Sequence, residues 1–265
     1  METWGFTVHM GRHVCDRQDY LAGKDEDRLA DLHEMFLDRD IKAIFCSRGG
    51  YGSMRILDRI NFDIIKANPK IIAGYSDITA LLIAVQKMTG LVTFHGPVFN
   101  KLAFGQQGNW KNLIEILTCN NLPELHFSDS RILFPGKAVG TLTGGNLSMI
   151  CHLIGTPFLP SFQGCLLLLE DKGESLYRVD RMLTHLKLSG RLAGLAGIIS
   201  GEFEKCGGSD AIDRLLMNLA RDMKIPVVAG LPFGHGPRNF ALPLGVRANL
   251  DTNSMTLSIL EGFVE

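Results

Sequence analysis

Ser76 stands where a protein chain can present a nucleophile. The apolar run of residues 71–73 stops at Gly74, and an amphipathic helical pattern begins at Asp77. A serine between a buried strand and a helix projects its hydroxyl from the carboxyl end of the strand, beside the free N–H groups that open the helix. A serine that attacks a carbonyl also needs a base to accept its proton and a residue that orients the base.

A purely structural role also fits Ser76. A serine immediately before a helical pattern is commonly the N-cap. The two roles are compatible, because an N-cap lies at the positive end of the helix dipole. The Gly-x-Ser-x-Gly pattern of α/β-hydrolases is not matched, since Ile78 occupies the position of its second glycine. The local pattern therefore leaves both roles open.

Candidates for the base and for its partner occur farther along the chain. Glu170 follows the apolar run 165–169, and a carboxylate at the end of a strand can accept an imidazole N–H and fix its tautomer. His235 lies between two glycines after another apolar run, in a loop that could present an imidazole. Taken singly, Glu170 equally suits a solvated turn, and His235 an exposed loop. His95 has a similar setting, and spacing does not choose between the two histidines.

Two glycine-rich turns are candidate sites for an anion. Gly49-Gly50 could donate backbone N–H groups to an oxyanion and leave room for a substrate. A phosphate-binding turn is the rival interpretation, but the turn lacks the Lys-Ser/Thr of a P-loop and the spacing of a dinucleotide fingerprint. Gly144-Gly145-Asn146 fails the same tests, and a helix cap is the simpler interpretation of Asn146.

The composition argues against several classes of protein. The 265 residues, 46% hydrophobic and 21% charged, suffice for one large or two small domains. Lys and Arg number 27 against 28 Asp and Glu, a net charge of −1 without the basic footprint of a nucleic-acid binder. No apolar run approaches the roughly 18–20 residues that span a bilayer, and the first residues lack the basic and apolar regions of a secretory signal. We expect a cytoplasmic protein with neither nucleic-acid nor membrane partners.

The cysteines indicate neither a disulfide framework nor a metal site. The six cysteines are widely spread, and the chain has no Cys-x-x-Cys pair and no His-Glu-x-x-His motif. Cys46 and Cys165 lie in apolar segments typical of buried strands, so we expect the cysteines to be reduced. We expect no metal and no cofactor.

Apolar segments alternate with helical patterns in the first half of the chain. Strands are predicted at residues 6–8, 43–46 and 70–73; helices are predicted at residues 25–38 and 77–88 and in a segment that runs through Leu57. Strands that are apolar throughout and separated by helices favour an α/β fold with a parallel sheet covered on both faces. Sites in such sheets form at the carboxyl ends of strands, where both Gly49-Gly50 and Ser76 lie.

A composition change divides the chain into two predicted domains. Residues 122–137 are rich in polar residues, Pro and Gly and are predicted to connect residues 1–121 with residues 138–265. In the second domain, strands are predicted at residues 164–169, 195–200 and 226–229. Helices are predicted at residues 175–187 and 210–223 and from Asn146 through Ile154, with a hairpin in residues 241–260.

Six short stretches stand in a characteristic order along the chain: Arg48-Gly49-Gly50-Tyr51-Gly52, Gly74-Tyr75-Ser76-Asp77-Ile78-Thr79, Phe94-His95-Gly96-Pro97, Gly144-Gly145-Asn146-Leu147, Leu169-Glu170-Asp171 and Phe233-Gly234-His235. Together they resemble the LD-carboxypeptidase family of serine peptidases, which trims peptidoglycan peptides and has microcin-immunity peptidases as relatives. The resemblance covers nearly the whole chain.

The resemblance implies a role for each candidate. Ser76 becomes the nucleophile, His235 the base and Glu170 the residue that orients the base, while His95 becomes structural or substrate-side. It implies a flavodoxin-like first domain with the nucleophile and a second, swivelling β/β/α-type domain with Glu170 and His235. The site then lies in the cleft between them.

The oxyanion is expected to bind the N–H groups of Asp77 and of Gly49 or Gly50, with Gly50 favoured. The resemblance further implies a homodimer and, as substrate, a cytoplasmic muropeptide tetrapeptide of peptidoglycan recycling. The bond cut joins the L-centre of a diamino acid to the terminal D-alanine. Because that residue carries a carboxylate, a cation is expected nearby. Arg48 and Arg238 are candidates by position, although surface charges suit both positions.

One departure from the family pattern bears on the fold. Relatives usually open with an additional strand and helix before the segment matching residues 2–11, so the first domain is expected to lack them, which would leave an exposed sheet edge. Three alternatives stay open: a hydrolase that gives immunity to a peptidyl-nucleotide antibiotic, a non-catalytic muropeptide-binding relative, and a glutamine-amidotransferase-like enzyme, which would need a cysteine where Ser76 stands.

Overall fold

The computed structural model describes residues 5–100, 107–118 and 124–263. Its strands form one sheet of four and one of eight. No helix in this part of the chain has both the length and the apolar character needed to cross a membrane. The α/β class predicted from the alternation of strands and helices is confirmed.

The strands are β1 (Ala43–Phe45), β2 (Ile71–Gly74), β3 (Thr93–His95), β4 (Glu124–His126), β5 (Arg131–Phe134), β6 (Lys137–Asn146), β7 (Cys165–Lys172), β8 (Gly197–Glu204), β9 (Val227–Gly234), β10 (Leu242–Leu244), β11 (Arg247–Asp251) and β12 (Thr256–Ile259). The α-helices are α1 (Asp25–Leu37), α2 (Phe62–Ala67), α3 (Thr79–Thr89), α4 (Gln107–Thr118), α5 (Leu147–His152), α6 (Leu176–Leu188) and α7 (Ser209–Met223). Two 3-10 helices, Ser53–Arg59 and Ser76–Ile78, follow the first two strands.

The smaller sheet has the order β1-β2-β3-β10. Its first three strands are parallel, and β10 runs antiparallel to β3. Strand β10 belongs to the segment predicted as the second domain, so the chain returns to complete the first sheet. Residues 6–8, predicted as a strand, form none and are exposed. That prediction is wrong, because no strand in the described ranges pairs with this segment and β1 is the edge of its sheet.

The larger sheet has the order β4-β12-β11-β6-β7-β8-β9-β5. Strands β6 to β9 are parallel at its centre, and β11 and β12 form the predicted hairpin. Strands β4 and β5, at its two edges, both lie within residues 122–137. The segment predicted as a linker therefore contributes both edges of this sheet, while its first two residues lie outside the described ranges.

Helix α3 connects the two sheets. Its residues Thr79–Val85 are all buried, because it packs against β2 and β3 on one side and β6 on the other. A helix that is apolar on every side is typical of such an internal position. Gly90 ends it in a left-handed conformation with φ of 78°. Since α3 follows the 3-10 helix that begins at Ser76, the candidate nucleophile lies where the two sheets meet.

Candidate active site

Ser76 occupies a strained turn at the end of β2. Its φ is +63°, a left-handed conformation that side-chain-bearing residues seldom adopt. The N-caps of the 3-10 helix and of α3 are Tyr75 and Ile78, so Ser76 is not the N-cap, contrary to the structural alternative. A strained residue at a strand end is a known setting for a nucleophile.

The hydroxyl of Ser76 contacts His235, as the nucleophile and base of the sequence analysis require. Ser76 Oγ lies 3.2 Å from His235 Nε2. His235 follows β9, and its side chain is only 11% exposed. The residue before it, Gly234, has a φ of +96°, and a Cβ there would lie 2.6 Å from Glu170 Oε2. Glycine is therefore required for the loop to approach the glutamate so closely.

Glu170 completes a continuous chain of contacts. Its Oε2 accepts from His235 Nδ1 at 2.6 Å, and its side chain is fully buried. Because Nδ1 donates to the carboxylate, Nε2 of the neutral ring is left to accept the Ser76 hydroxyl proton. The register between β7 and β8 shifts between Leu169 and Asp171. A bulge of this kind re-aims a side chain, and here it lies at Glu170.

Glu170 is ionised at neutral pH. Burial alone would raise its pKa, but the hydrogen bond from His235 and the facing His95 ring outweigh that effect and lower the pKa to about 2. A buried carboxylate in this state needs several donors to replace water. It can stabilise positive charge on His235 without taking up a proton itself.

Asn146 is a neighbour of Glu170 that the sequence analysis interpreted only as a helix cap. It does cap α5, since its Oδ1 accepts from Met149 N at 3.1 Å. Its Nδ2 also donates to Glu170 Oε1 at 3.2 Å and to Asp171 Oδ1 at 3.1 Å. Asn146 and Glu170 are partners in the β6–β7 register. Residues 137–146 lack the apolar run of a buried strand, so no pattern in the sequence pointed to this contact.

Tyr75 is the second neighbour that the sequence analysis missed. Its ring centroid lies 4.8 Å from that of His235. Burial, followed by the nearby charge of Glu170, raises the pKa of the Tyr75 phenol to about 12, so the ring stays neutral. It packs the base from one side and limits the orientations that the imidazole can adopt.

His95 lies behind the glutamate and does not contact Ser76 within the described contacts. It is fully buried at the end of β3, with Nε2 at 3.8 Å from Glu170 Oε1. That separation is longer than a hydrogen bond. Between the two histidines, the structure brings His235 to Ser76 and leaves His95 as a neighbour of Glu170.

The candidate oxyanion donors lie beside Ser76. A Cβ on Gly49 would be 3.0 Å from Ser76 Cβ, so the turn after β1 packs against the serine. Gly50 follows with a φ of +118°. Asp77 directly follows Ser76, and its buried carboxylate accepts the Ser53 N–H at 2.8 Å. This bond ties the turn after β2 to the segment that follows the glycine-rich turn.

A buried hydrogen-bond relay holds the loop of His235. Gly234 N–H donates to Asn239 Oδ1, and Asn239 N–H donates to Asn109 Oδ1, both at 2.9 Å. Asn239 and Asn109 are buried, and Asn109 belongs to helix α4. Helix α4 therefore fixes the loop that presents the imidazole.

The two arginines proposed for a substrate carboxylate are placed differently. Arg48 is exposed in the glycine-rich turn. Arg238 follows His235 by three residues, and its half-exposed guanidinium faces Asp129 at 4.0 Å. The structure thus brings together Ser76, His235 and Glu170, whereas both arginines lie on the surface of the flanking loops.

The cysteines of the described residues do not form disulfides: Cys15, Cys46, Cys151, Cys165 and Cys206 are free, and Cys119 lies outside the described ranges. Cys46 directly follows β1, and Cys165 begins β7. Burial, followed by the charge of Asp77, raises the pKa of the Cys46 thiol to about 12. This thiol lacks the thiolate character of a cysteine nucleophile.

Two family models match this chain, one in each half. Residues 1–96 match the model of the LD-carboxypeptidase N-terminal domain, and residues 139–250 match that of the LD-carboxypeptidase C-terminal domain. A probable murein peptide carboxypeptidase of Bacillus subtilis (strain 168) is 38% identical, over 100% of this chain and 86% of that protein.

Two further relatives cover nearly all of the chain. The crystal structure of a muramoyltetrapeptide carboxypeptidase from Oxalobacter formigenes matches with a TM-score of 0.83 and 31% identity, over 96% of this chain and 89% of that chain. The microcin C7 self-immunity protein MccF of Escherichia coli is 30% identical, over 98% of this chain and 86% of that protein. The chain belongs to the LD-carboxypeptidase family of peptide hydrolases.

Proposed function

We propose that the protein is a serine-type LD-carboxypeptidase that releases the terminal D-alanine of a muropeptide tetrapeptide. The observation that carries the proposal is the chain of contacts from Ser76 through His235 to Glu170, at 3.2 Å and 2.6 Å. The names of the relatives, a murein peptide carboxypeptidase and a muramoyltetrapeptide carboxypeptidase, support the substrate class.

In the proposed reaction, Ser76 Oγ attacks the carbonyl carbon of the bond before D-alanine. His235 Nε2 takes the hydroxyl proton and then passes it to the leaving amine as the C–N bond breaks. Glu170 remains ionised and stabilises the transient imidazolium. Water then attacks the ester with His235 again as base, His235 returns that proton to Ser76 Oγ as the ester bond breaks, and the tripeptide leaves with a new carboxylate.

The negative charge of the tetrahedral intermediate requires donors next to Ser76. We assign this role to the backbone N–H groups of Gly50 and Asp77. The close packing of Gly49 on Ser76 and the position of Asp77 at the helix start support the assignment. One donor of this kind typically contributes about 3–4 kcal/mol to the stability of the transition state.

The terminal carboxylate of the substrate needs a cation, and we assign Arg48 and Arg238 to it. Both lie in loops that adjoin the contact chain, and the partial pairing of Arg238 with Asp129 leaves its guanidinium available at the surface. The proposed reaction takes place in the cytoplasm, within peptidoglycan recycling, and the protein acts as a homodimer, as the family resemblance implies.

The substrate is tested with the purified protein and two tetrapeptides that differ only in the configuration of the terminal alanine. The proposal expects release of D-alanine from the D-ended peptide and at least about tenfold slower release from the L-ended one, since an inverted centre misplaces the scissile bond. Chromatography of the released amino acid measures both. Binding of the D-ended peptide without release would instead support a non-catalytic muropeptide-binding protein.

A second candidate function follows from the 30% sequence identity to MccF, a microcin self-immunity protein. A hydrolase of a peptidyl-nucleotide would use the same three catalytic residues, but it also needs an aromatic surface on which the nucleobase can stack. Tyr75 is buried against His235 and leaves little surface for stacking. Incubation with an aminoacyl-sulfamoyl nucleoside separates the two functions. Hydrolysis of this compound faster than hydrolysis of the D-ended tetrapeptide would favour the immunity function.

A further inference from the structure

The imidazole of His95 is a polar group that faces Glu170 at 3.8 Å without a hydrogen bond. It is fully buried, and neither ring nitrogen forms a hydrogen bond with any residue that the structure describes. Buried polar groups are nearly always paired, because an unpaired group gives up its bonds to water without replacement. A phenylalanine would fill the same volume without that cost. The histidine therefore needs an explanation other than packing.

The surroundings of His95 hold its ring in one orientation. Phe233 meets the ring edge-on, with centroids 5.6 Å apart and planes at 88°. Tyr75 packs on another side at 6.3 Å. A Cβ on Gly145 would lie 2.8 Å from His95 Cδ2, so the backbone of β6 closes the third side. The ring cannot rotate without moving these neighbours.

This fixed orientation turns Nε2 of His95 toward Glu170. The distance from Nε2 to Glu170 Oε1 is 3.8 Å. Oε1 is the oxygen that His235 does not use, and Asn146 Nδ2 approaches it at 3.2 Å. Because Glu170 is an anion, the nitrogen that faces it carries a hydrogen. Oε1 thus lies between an amide N–H and an imidazole N–H.

We propose that His95 is a positioning residue for Glu170. A carboxylate can turn about its last single bond, and a small turn would move Oε2 off the His235 ring. The N–H groups of His95 and Asn146 hold Oε1 and so keep Oε2 on His235 Nδ1. At 3.8 Å the His95 contact is loose, as catalytic contacts in unliganded enzymes often are.

His95 is fully buried and has no contact with Ser76 among the described contacts, so it acts only through Glu170. The inference rests on the proposed function solely for the roles of Glu170 and His235. A positioning role and a structural role predict different results when His95 is replaced. A structural histidine would lower stability when replaced, whereas a positioning histidine lowers turnover.

The test compares His95→Phe and His95→Gln with the wild-type protein. His95→Phe keeps the ring but removes the N–H, and it should lower kcat by about tenfold or more with KM changed less than about twofold, because Glu170 is misplaced and the substrate site is not. Its thermal unfolding midpoint should not fall. His95→Gln restores an N–H near Oε1 and should recover part of kcat.

Thr93→Val is the matched control. Thr93 is also fully buried on β3, and its hydroxyl donates to Leu82 O at 3.4 Å, away from Glu170. This variant should keep wild-type kcat. Wild-type kcat in His95→Phe, or a loss that His95→Gln does not relieve, would overturn the inference.

An NMR measurement made without substrate tests the role of His95 independently of the proposed function. The proton between His235 Nδ1 and Glu170 should give a low-field NMR signal, which Glu170→Gln identifies by abolishing it. His95→Phe should move that signal upfield or broaden it, and Thr93→Val should leave it in place. Failure of the wild type to release D-alanine would count against the proposed function only. An unchanged proton signal in His95→Phe would count against the role of His95.

Discussion

The backbone of Ser76 is in a conformation that costs about 1–2 kcal/mol for a residue with a side chain. The fold maintains its φ of +63° because β2, Tyr75 and the buried helix α3 fix both sides of the turn. In this conformation the hydroxyl is directed at His235 Nε2. Strain at a functional residue is thus set by its neighbours.

At the same scale, Glu170→Gln tests the proposed orienting role. The amide keeps the shape of the side chain but cannot stabilise a charged His235 equally well. We expect kcat to fall by at least about a hundredfold, with the far-UV circular dichroism unchanged. Glu124→Gln is the matched control at the far edge of the larger sheet, where Glu124 Oε2 accepts from Ser258 Oγ at 2.7 Å. Near wild-type kcat in Glu170→Gln would contradict the orienting role.

The same variant should change the response of stability to acid. The pKa of Glu170 is about 2 in the folded protein, below the roughly 4.3 of an unperturbed glutamate. Its contribution to stability is therefore complete above the unfolded-state pKa and is lost as pH falls toward 2. Urea unfolding between pH 5 and pH 3 should show a smaller loss of stability in Glu170→Gln than in the wild type.

Residue types alone pointed to Ser76, Glu170 and His235 as candidates, but only the family resemblance decided between His235 and His95. The contacts of Asn146, Tyr75 and His95 could not be predicted. Each depends on the register of a neighbouring strand or on the path of a loop, and a single sequence does not contain that information. Asn146 faces Glu170 because the two are partners across β6 and β7.

At the scale of elements, helix α4 is the support for the loop of His235. Asn109→Ala would leave the buried N–H of Asn239 unpaired, which should cost about 1–3 kcal/mol of stability. It should also lower kcat, because Asn239 holds Gly234, the residue before His235. Urea unfolding and steady-state kinetics measure the two effects.

Asn112→Ala is the control from the same helix. Asn112 Oδ1 accepts the Ala241 N–H at 2.7 Å, farther along the chain from His235. We expect a similar loss of stability with a smaller loss of kcat. Equal losses of kcat in both variants would mean that α4 supports the whole segment and has no particular effect on the imidazole.

Most elements of the described chain lie where apolar periodicity placed them, because buried strands and amphipathic helices have distinct patterns. Helices α1 and α7 begin or end within one residue of their predicted limits. The helix predicted to run through Leu57 is a 3-10 helix over residues 53–59. Short elements escaped prediction: helix α2 has six residues, and β10 has three with a proline at its centre, a composition that does not indicate a strand.

At the scale of the whole molecule, the site exists only because two sheets meet. Ser76 follows a strand of the smaller sheet, and Glu170 and His235 lie at strand ends of the larger one. Two connections form the joint between the sheets. The chain returns to the smaller sheet as β10, and the buried Asn146 N–H donates to Thr79 Oγ1 at 3.2 Å. The division into residues 1–121 and 138–265 stays a prediction, although β10 crosses it.

The central claim is that Ser76, held against His235 by this joint, is the nucleophile. Its most direct test is the rate of D-alanine release from a tetrapeptide by Ser76→Ala, compared with the wild type under the same conditions. We predict a fall in kcat of about a thousandfold or more, with the variant folded and able to bind the peptide. Release at the wild-type rate would contradict the claim.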